Sequence, residues 1–186
     1  MKKFLLVFAL LAGALSVSAQ RAGEFSMWSN ENSDINHSGF FLNPAIGLVT
    51  GDCEDDFGVS LQLGYRWHIA SGFNWDIVKV GANTGVSNFT EMLDLRFLSG
   101  FRYNSHEILA GHSMYADVAF GYNFLTDVSE GGFAYEVGVG VNLTRTLSLG
   151  LVWEGSNVSY DDWFYGRYTE VSAKWGTLGV RLGINF

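Results

Sequence analysis

The chain has little cysteine, little proline and few basic residues. Its 186 residues include one cysteine, Cys53, so no disulfide can form within the chain. A single proline, Pro44, beside 23 glycines suits a strand-rich fold whose interior backbone packs closely. The 11 basic residues are outnumbered by 19 acidic ones, and the net charge of −8 argues against nucleic-acid binding.

The chain also lacks a long apolar run beyond its N-terminus. Residues 1–19 begin with Lys2 and Lys3, continue with the apolar stretch Phe4–Leu15 and end on small residues, the pattern of a secretory signal peptide. We expect the mature chain to begin near Gln20, and loss of both lysines takes the net charge from −8 to about −10. The run falls short of the roughly 20 residues of a membrane-spanning helix, and no later segment approaches that length without a charge. If the protein lies in a membrane, it crosses as strands.

Period-two alternation is what the chain has in abundance. Several segments after residue 38 alternate large apolar residues with small or polar ones, as strands with one apolar face do. The clearest are 57–69, 92–103, 114–124, 133–143, 147–154 and 178–186. Their second face is mostly Gly, Ala, Ser and Asn, which suits the crowded lumen of a narrow barrel. We therefore predict that the apolar face meets lipid, with a soluble sandwich or lipocalin-like barrel as the alternative.

The pattern predicts an all-β fold, an eight-stranded antiparallel up-and-down transmembrane β-barrel. The predicted organisation is a signal peptide over 1–19, an N-terminal periplasmic segment or first-strand region over 20–38, and the barrel domain over 39–186. The predicted strands are 39–49, 57–69, 73–82, 90–103, 113–124, 132–143, 147–156 and 170–186. Outer loops then fall at 50–56, 83–89, 125–131 and 157–169, and three of these loops carry acidic clusters.

Two predicted strands break the pattern. Segment 73–82 alternates poorly because Lys79 falls in phase with the apolar residues, so the segment is either a strand or partly a loop. In the second case, residues 22–29 would supply the missing strand. Pro44 lies inside the first strand, where it removes a ladder hydrogen bond, and we expect a bulge or a rim position there.

A short pattern of Gly, large, Arg or Asn, large recurs about one hairpin apart. Its copies are Gly64–Trp67, Gly100–Tyr103, Gly140–Leu143 and Gly183–Phe186. The last copy is the C-terminus, so we expect all four to end descending strands on the periplasmic side, where barrel turns are short.

With its signal peptide, these strand endings and the terminal Gly-Ile-Asn-Phe, the chain resembles the small β-barrel-domain outer-membrane proteins of Gram-negative bacteria, in the style common among Bacteroidetes. The resemblance covers nearly the whole mature chain. It implies a location in the cell outer membrane and insertion by the outer-membrane barrel-assembly machinery, with Phe186 as part of the assembly signal. Most members have no known activity, so the resemblance implies little chemistry.

Charges on the predicted lumen face are the sharpest candidate site. The facing assignment directs four bases and four acids inward, namely Arg66, Arg96, Arg102, Arg181, Asp94, Asp117, Glu136 and Glu154. An eight-stranded barrel is barely wide enough for its own side chains, so we expect these charges to pair and to fill the lumen. The functional alternative is a gated polar pore or a small ligand site.

Catalytic and metal chemistry have weaker signals. His112 and Ser113 begin a strand and Asp117 follows, but neighbouring strand residues point to opposite faces, so we predict no catalytic residue and no enzyme activity. The acidic run 52–56 could bind Ca²⁺ or bridge through divalent cations to lipopolysaccharide phosphates, but it lacks the spacing of an EF-hand loop. We therefore predict no metal site and no cofactor.

The sequence favours a structural or interaction role at the outer loops, with a charge-filled and mostly closed lumen. A narrow pore for ions or small solutes is the alternative, and a lipid-modifying outer-membrane enzyme a weaker one. The expected partners are outer-membrane lipid, lipopolysaccharide and the barrel-assembly machinery, without nucleic acid; an external partner is not identified. Five aromatic residues within 160–168 predict either the upper aromatic girdle or a contact surface for glycan or protein.

Overall fold

Eight antiparallel strands close into one barrel. A computed structural model describes residues 38–51, 57–85, 93–109, 112–126, 130–164 and 167–186. The strands are β1 (Gly39–Gly51), β2 (Phe57–Ala70), β3 (Phe73–Gly85), β4 (Asp94–Leu109), β5 (His112–Leu125), β6 (Glu130–Asn142), β7 (Leu147–Phe164) and β8 (Arg167–Asn185). Each strand pairs with the next, and β8 pairs with β1. The predicted fold class is confirmed.

The strands are staggered around the barrel. Following residue pairs from Phe41 through every strand leads back to β1 at Gly51 and not at Phe41. This stagger accompanies the strand tilt that a closed sheet requires, and it sets which side chains from distant strands meet in the lumen. Among the described residues, no helix is long and apolar enough to cross a membrane.

The poor alternation of the third strand comes from a bulge and not from a loop. The pairing of β3 with β4 shifts register between Asp76 and Lys79, and both Ile77 and Val78 are exposed on the exterior. The inserted residue reverses the phase of the strand, so Lys79 is buried in the lumen although strict alternation puts it outside. On the exterior, Ser99 Oγ donates to the Asp76 carbonyl at 3.1 Å and satisfies that oxygen.

Because β3 is a full strand, eight strands form without a contribution from residues 22–29, which lie outside the described residues. The predicted signal peptide over 1–19 and the segment 20–37 also lie outside them.

Pro44 lies neither at a bulge nor at a rim of the barrel, so both expectations for it are wrong. Pro44 lies well inside β1 and pairs with Leu61, and the register of β1 against β8 is the same on both sides of it. The carbonyls of Phe40 and Ile46 face β8, and Pro44 has the same phase. The missing N–H therefore removes a donor toward β8 without adding a residue to the strand.

The fourth outer loop is much shorter than predicted. Residues 157–164 continue β7 and residues 167–169 begin β8, so most of the predicted loop 157–169 is a paired hairpin. The sequence there is rich in Val, Tyr, Trp, Phe and Thr, which favour strands, and the acidic residues among them obscured that signal.

The exterior of the barrel is apolar over its middle. Large hydrophobic side chains from all eight strands are exposed there, and Val139 at 50% and Leu151 at 55% exposed fraction are typical. One end of the barrel carries the Ser71–Gly72 turn and the C-terminus, and we call it the periplasmic end after the predicted orientation. Aromatic side chains cluster near it, where Trp75 stacks on both Trp67 and Phe101 with ring centroids 6.4 Å apart. An apolar belt with aromatic margins is the surface that a lipid bilayer requires of a transmembrane barrel.

Candidate functional site

All eight charges that the sequence directs inward are buried in the lumen. Arg96, Arg102 and Arg181 are each 1% exposed, and Glu136 has no exposed surface. They come from strands all around the barrel, because each occupies the inward phase of its own strand. An apolar exterior and a charged interior invert the arrangement of a water-soluble barrel.

Two further buried charges, Asp76 and Lys79, were missed from the sequence. Asp76 alternates correctly with its neighbours and could have been found from its position between the exterior residues Trp75 and Ile77. Lys79 could not, because the bulge that turns it inward follows no sequence period. With them, the described part of the lumen holds five bases and five acids.

Six of these charges form a central cluster, consisting of Arg66, Asp76, Lys79, Asp117, Glu136 and Arg181. Lys79 Nζ contacts Glu136 Oε1 at 2.6 Å. The guanidinium of Arg181 donates to both Glu136 and Asp117. Toward the periplasmic end, Arg66 binds both carboxylate oxygens of Asp76, at 2.6 and 3.1 Å. Three bases and three acids balance within this cluster.

Three charges form an outer cluster, consisting of Asp94, Arg96 and Glu154. Arg96 donates through Nε to Asp94 Oδ2 at 2.9 Å and through Nη1 to Glu154 Oε2 at 3.2 Å. Neutral side chains supply further donors: Ser60 and Asn83 bind Glu154, whereas Asn123 and Ser156 bind Asp94. Two carboxylates thus face one guanidinium, and surrounding amides and hydroxyls satisfy the remaining acceptor positions.

Gln62 joins the two clusters. Its Nε2 donates to Glu136 in the central cluster and, at 3.2 Å, to Glu154 Oε1 in the outer cluster. A continuous network of hydrogen bonds and ion pairs therefore runs from Arg66 near the periplasmic end to Asp94 near the outer end, and its one link longer than a hydrogen bond is the 4.0 Å ion pair of Lys79 Nζ with Asp76 Oδ2.

Arg102 lies apart from both clusters. No salt bridge to Arg102 occurs within the described ranges. Its guanidinium donates to the side-chain oxygens of Asn104 at 3.1 Å and Asn142 at 2.6 Å, and its Cζ lies 3.5 Å from the centroid of the Tyr115 ring. Amide oxygens and a cation–π contact thus hold this cation.

Inward glycines make room for the long side chains. A methyl group at Gly138 would overlap the Arg181 guanidinium and the Asp117 carboxylate. One at Gly150 would overlap the hydroxyl of Tyr115. The glycine-rich second face of the alternating segments is therefore the complement of the buried arginines and tyrosine.

The histidine, serine and acid that begin β5 are not assembled into a hydrolytic site. His112 is exposed, whereas Ser113 is buried on the inward face and accepts a hydrogen bond from Asn142 at 2.8 Å. Asp117 is ion-paired with Arg181. Within the described ranges no group of three or more His, Cys, Asp or Glu residues is arranged to hold a metal ion, and the acidic run 52–56 lies outside those ranges.

The last strand is joined to both neighbours up to the end of the chain. The Phe186 N–H donates to the Phe40 carbonyl at 2.8 Å, and the Asn185 N–H donates to the Thr146 carbonyl at 2.7 Å. The role of Phe186 as part of the assembly signal stays a prediction.

Comparison with known proteins gives fold relatives only. No protein-family model matches the chain, and no curated protein matches it. The crystal structure of Neisserial surface protein A (NspA) superposes with a TM-score of 0.54 at 12% identity, covering 80% of this chain and 98% of that one. The crystal structure of the outer membrane enzyme PagL superposes with a TM-score of 0.57 at 13% identity, covering 78% of this chain and 99% of that one.

These relatives and the apolar exterior define the class. The fold is that of a small, integral outer-membrane β-barrel protein.

Proposed function

We propose that the protein is a closed outer-membrane barrel with a structural or interaction role, carried by its outer side. The observation that supports this is the charge network across the lumen. Every charged member of it is at most 6% exposed, and most of its hydrogen bonds cross the barrel between strands that are not neighbours, as from Lys79 in β3 to Glu136 in β6. Buried, mutually paired charges resist displacement because separating them leaves an uncompensated charge.

A flux assay in proteoliposomes tests this proposal. Full-length mature protein is refolded into vesicles loaded with K⁺, and K⁺ efflux is compared with that from empty vesicles and from vesicles holding a known porin. A closed lumen gives efflux equal to that of empty vesicles. Efflux that rises in proportion to the amount of inserted protein would contradict it.

The second candidate function is a narrow pore. It is favoured by the continuous polar network, because a polar lumen axis is also what a permeating ion would follow. Efflux in the same assay would support this candidate.

We do not propose an enzyme. The name of one fold relative, PagL, identifies that protein as an outer-membrane enzyme. What supports a non-enzymatic role for this chain is that His112 is exposed whereas Ser113 is buried on the opposite face of β5.

The proposed partners follow from the location. Lipid would surround the apolar belt, lipopolysaccharide the outer rim, and the assembly machinery would read the last strand ending at Phe186. The similarity of the strand endings to Bacteroidetes barrels stays a prediction.

A further inference from the structure

Strands β7 and β8 continue beyond the pairing of their outer neighbours. The last pair of β6 with β7 is Gly132 with Val158, and the last pair of β8 with β1 is Trp175 with Gly51. Further out, the described residues of the two strands pair only with each other, up to Phe164 with Arg167. We call residues 159–164 and 167–172 the outer ribbon. At about 3.3 Å per residue it extends roughly 20 Å past the end of the β6–β7 pairing.

The phase of the β7 hydrogen bonds shows which backbone groups face the open side of the ribbon. Alternate residues of a strand direct their N–H and C=O groups to opposite neighbours. The Leu147 carbonyl accepts from the β6 side, whereas the Thr146 carbonyl accepts from β8. The Leu149 and Asn157 carbonyls likewise face β6. Odd-numbered residues of β7 therefore direct their backbone groups toward β6.

In the outer ribbon those odd-numbered residues pair with no other strand of the described part of the chain. They are Ser159, Asp161 and Trp163. The β6 residues that would come next, Gly131 and Glu130, pair with β5 but not with β7. A strand edge with unpaired N–H and C=O groups is a template for one more strand.

The charge of the outer side determines what kind of strand fits. Glu130, at the outer end of β6, is exposed. The outer ribbon adds Asp161, Asp162 and Glu170 against one base, Arg167. An extended segment rich in Lys or Arg is the complement of this surface.

We infer that the free β7 edge of the outer ribbon docks an extended basic segment of a partner protein by strand addition. Main-chain hydrogen bonds to Ser159, Asp161 and Trp163 hold the segment in register, and the acidic surroundings attract it. The inference rests on the proposed interaction role, since it identifies the surface and the chemistry of the partner.

Binding of designed peptides to the full mature protein in nanodiscs tests the inference. The probe is a fluorescent decapeptide of alternating Lys and Thr, followed by anisotropy. The controls are the same peptide with every second amide N-methylated, which blocks strand addition, and a Glu/Thr peptide. We expect the Lys/Thr peptide to bind, the N-methylated one about tenfold or more weakly, and the Glu/Thr one not at all. Absence of Lys/Thr binding, or equal binding of the N-methylated peptide, would overturn the inference.

A matched pair of variants locates the contact on the edge. Asp161→Pro removes a backbone donor from the free edge, whereas Asp161→Asn removes the same charge and keeps the donor. We expect Asp161→Pro to weaken binding about tenfold more than Asp161→Asn, in protein shown to be folded by heat-modifiable migration in gels. Equal effects would exclude edge docking. The two proposals fail separately. If the vesicles show no K⁺ efflux and the Lys/Thr peptide does not bind, docking at the β7 edge is excluded and the closed lumen is retained. If the vesicles show K⁺ efflux, the closed lumen is excluded whether or not the peptide binds.

Discussion

At the scale of single residues, Glu136 is a buried carboxylate that accepts hydrogen bonds from two cations. Its carboxylate accepts from Lys79, Arg181 and Gln62, and no part of it is exposed. Because water does not solvate this carboxylate, its charge is stabilised by the buried cations around it. Those cations in turn lose their compensating charge if the carboxylate is removed.

Glu136→Ala should therefore destabilise the barrel. Two cations, Lys79 and Arg181, would lose a buried partner, and the cost of breaking a buried pair from one side is about 3–5 kcal/mol. The measurement is urea unfolding in lipid vesicles. Glu130→Ala is the matched control, since Glu130 is exposed and should change the unfolding free energy by less than about 0.5 kcal/mol. Equal losses for the two variants would mean that the network contributes nothing specific.

Gly138→Ala tests whether inward glycines are needed for the buried side chains. The added methyl group overlaps the Arg181–Asp117 ion pair, and overpacking of this kind costs about 1–3 kcal/mol. Gly58→Ala is the control, because the nearest atom to its methyl group is a side-chain methyl of Val49 at 3.0 Å. We expect the larger loss of unfolding free energy for Gly138→Ala. The reverse order would contradict the claim that Gly138 leaves space for the Arg181 guanidinium.

At the scale of strands, alternation in the sequence was sufficient to place most elements and their faces. In β5, for example, Asp117 and Asn123 are inward and Val118 and Phe120 outward, as period two dictates. Alternation gave the wrong face where a bulge inserts one extra residue into a strand, as happens before Lys79. It also failed in the outer ribbon, where acidic residues on paired strands have the composition of a loop.

Val139→Arg tests the outward face of β6. Val139 is 50% exposed on the apolar exterior, and an arginine near the middle of a bilayer costs about 2–4 kcal/mol of folding free energy. Ser172→Arg, an exposed position in the outer ribbon, is the control with an expected cost of about 0–1 kcal/mol because depth sets the penalty. An unchanged folding free energy for Val139→Arg in vesicles would mean that this face does not meet lipid.

At the scale of the whole molecule, the lumen is balanced in charge but polarised along its axis. The outer cluster has one more acid than bases, and Arg102, on the periplasmic side, supplies the cation that balances it. The sequence identified eight of the ten charges in the described part of the lumen. It could not identify the partners, because Lys79 and Glu136 meet only through the stagger with which the barrel closes.

The most direct test of a closed lumen is single-channel conductance of the full mature protein in a planar bilayer. We predict no discrete steps with insertion shown by protease protection. A variant combining Lys79→Ala, Glu136→Ala and Arg181→Ala, which removes the middle of the central cluster, is predicted to conduct and shows that the recording can detect an opening of this size. Discrete conductance steps from the unmodified protein would contradict the account and make the buried charges a permeation path.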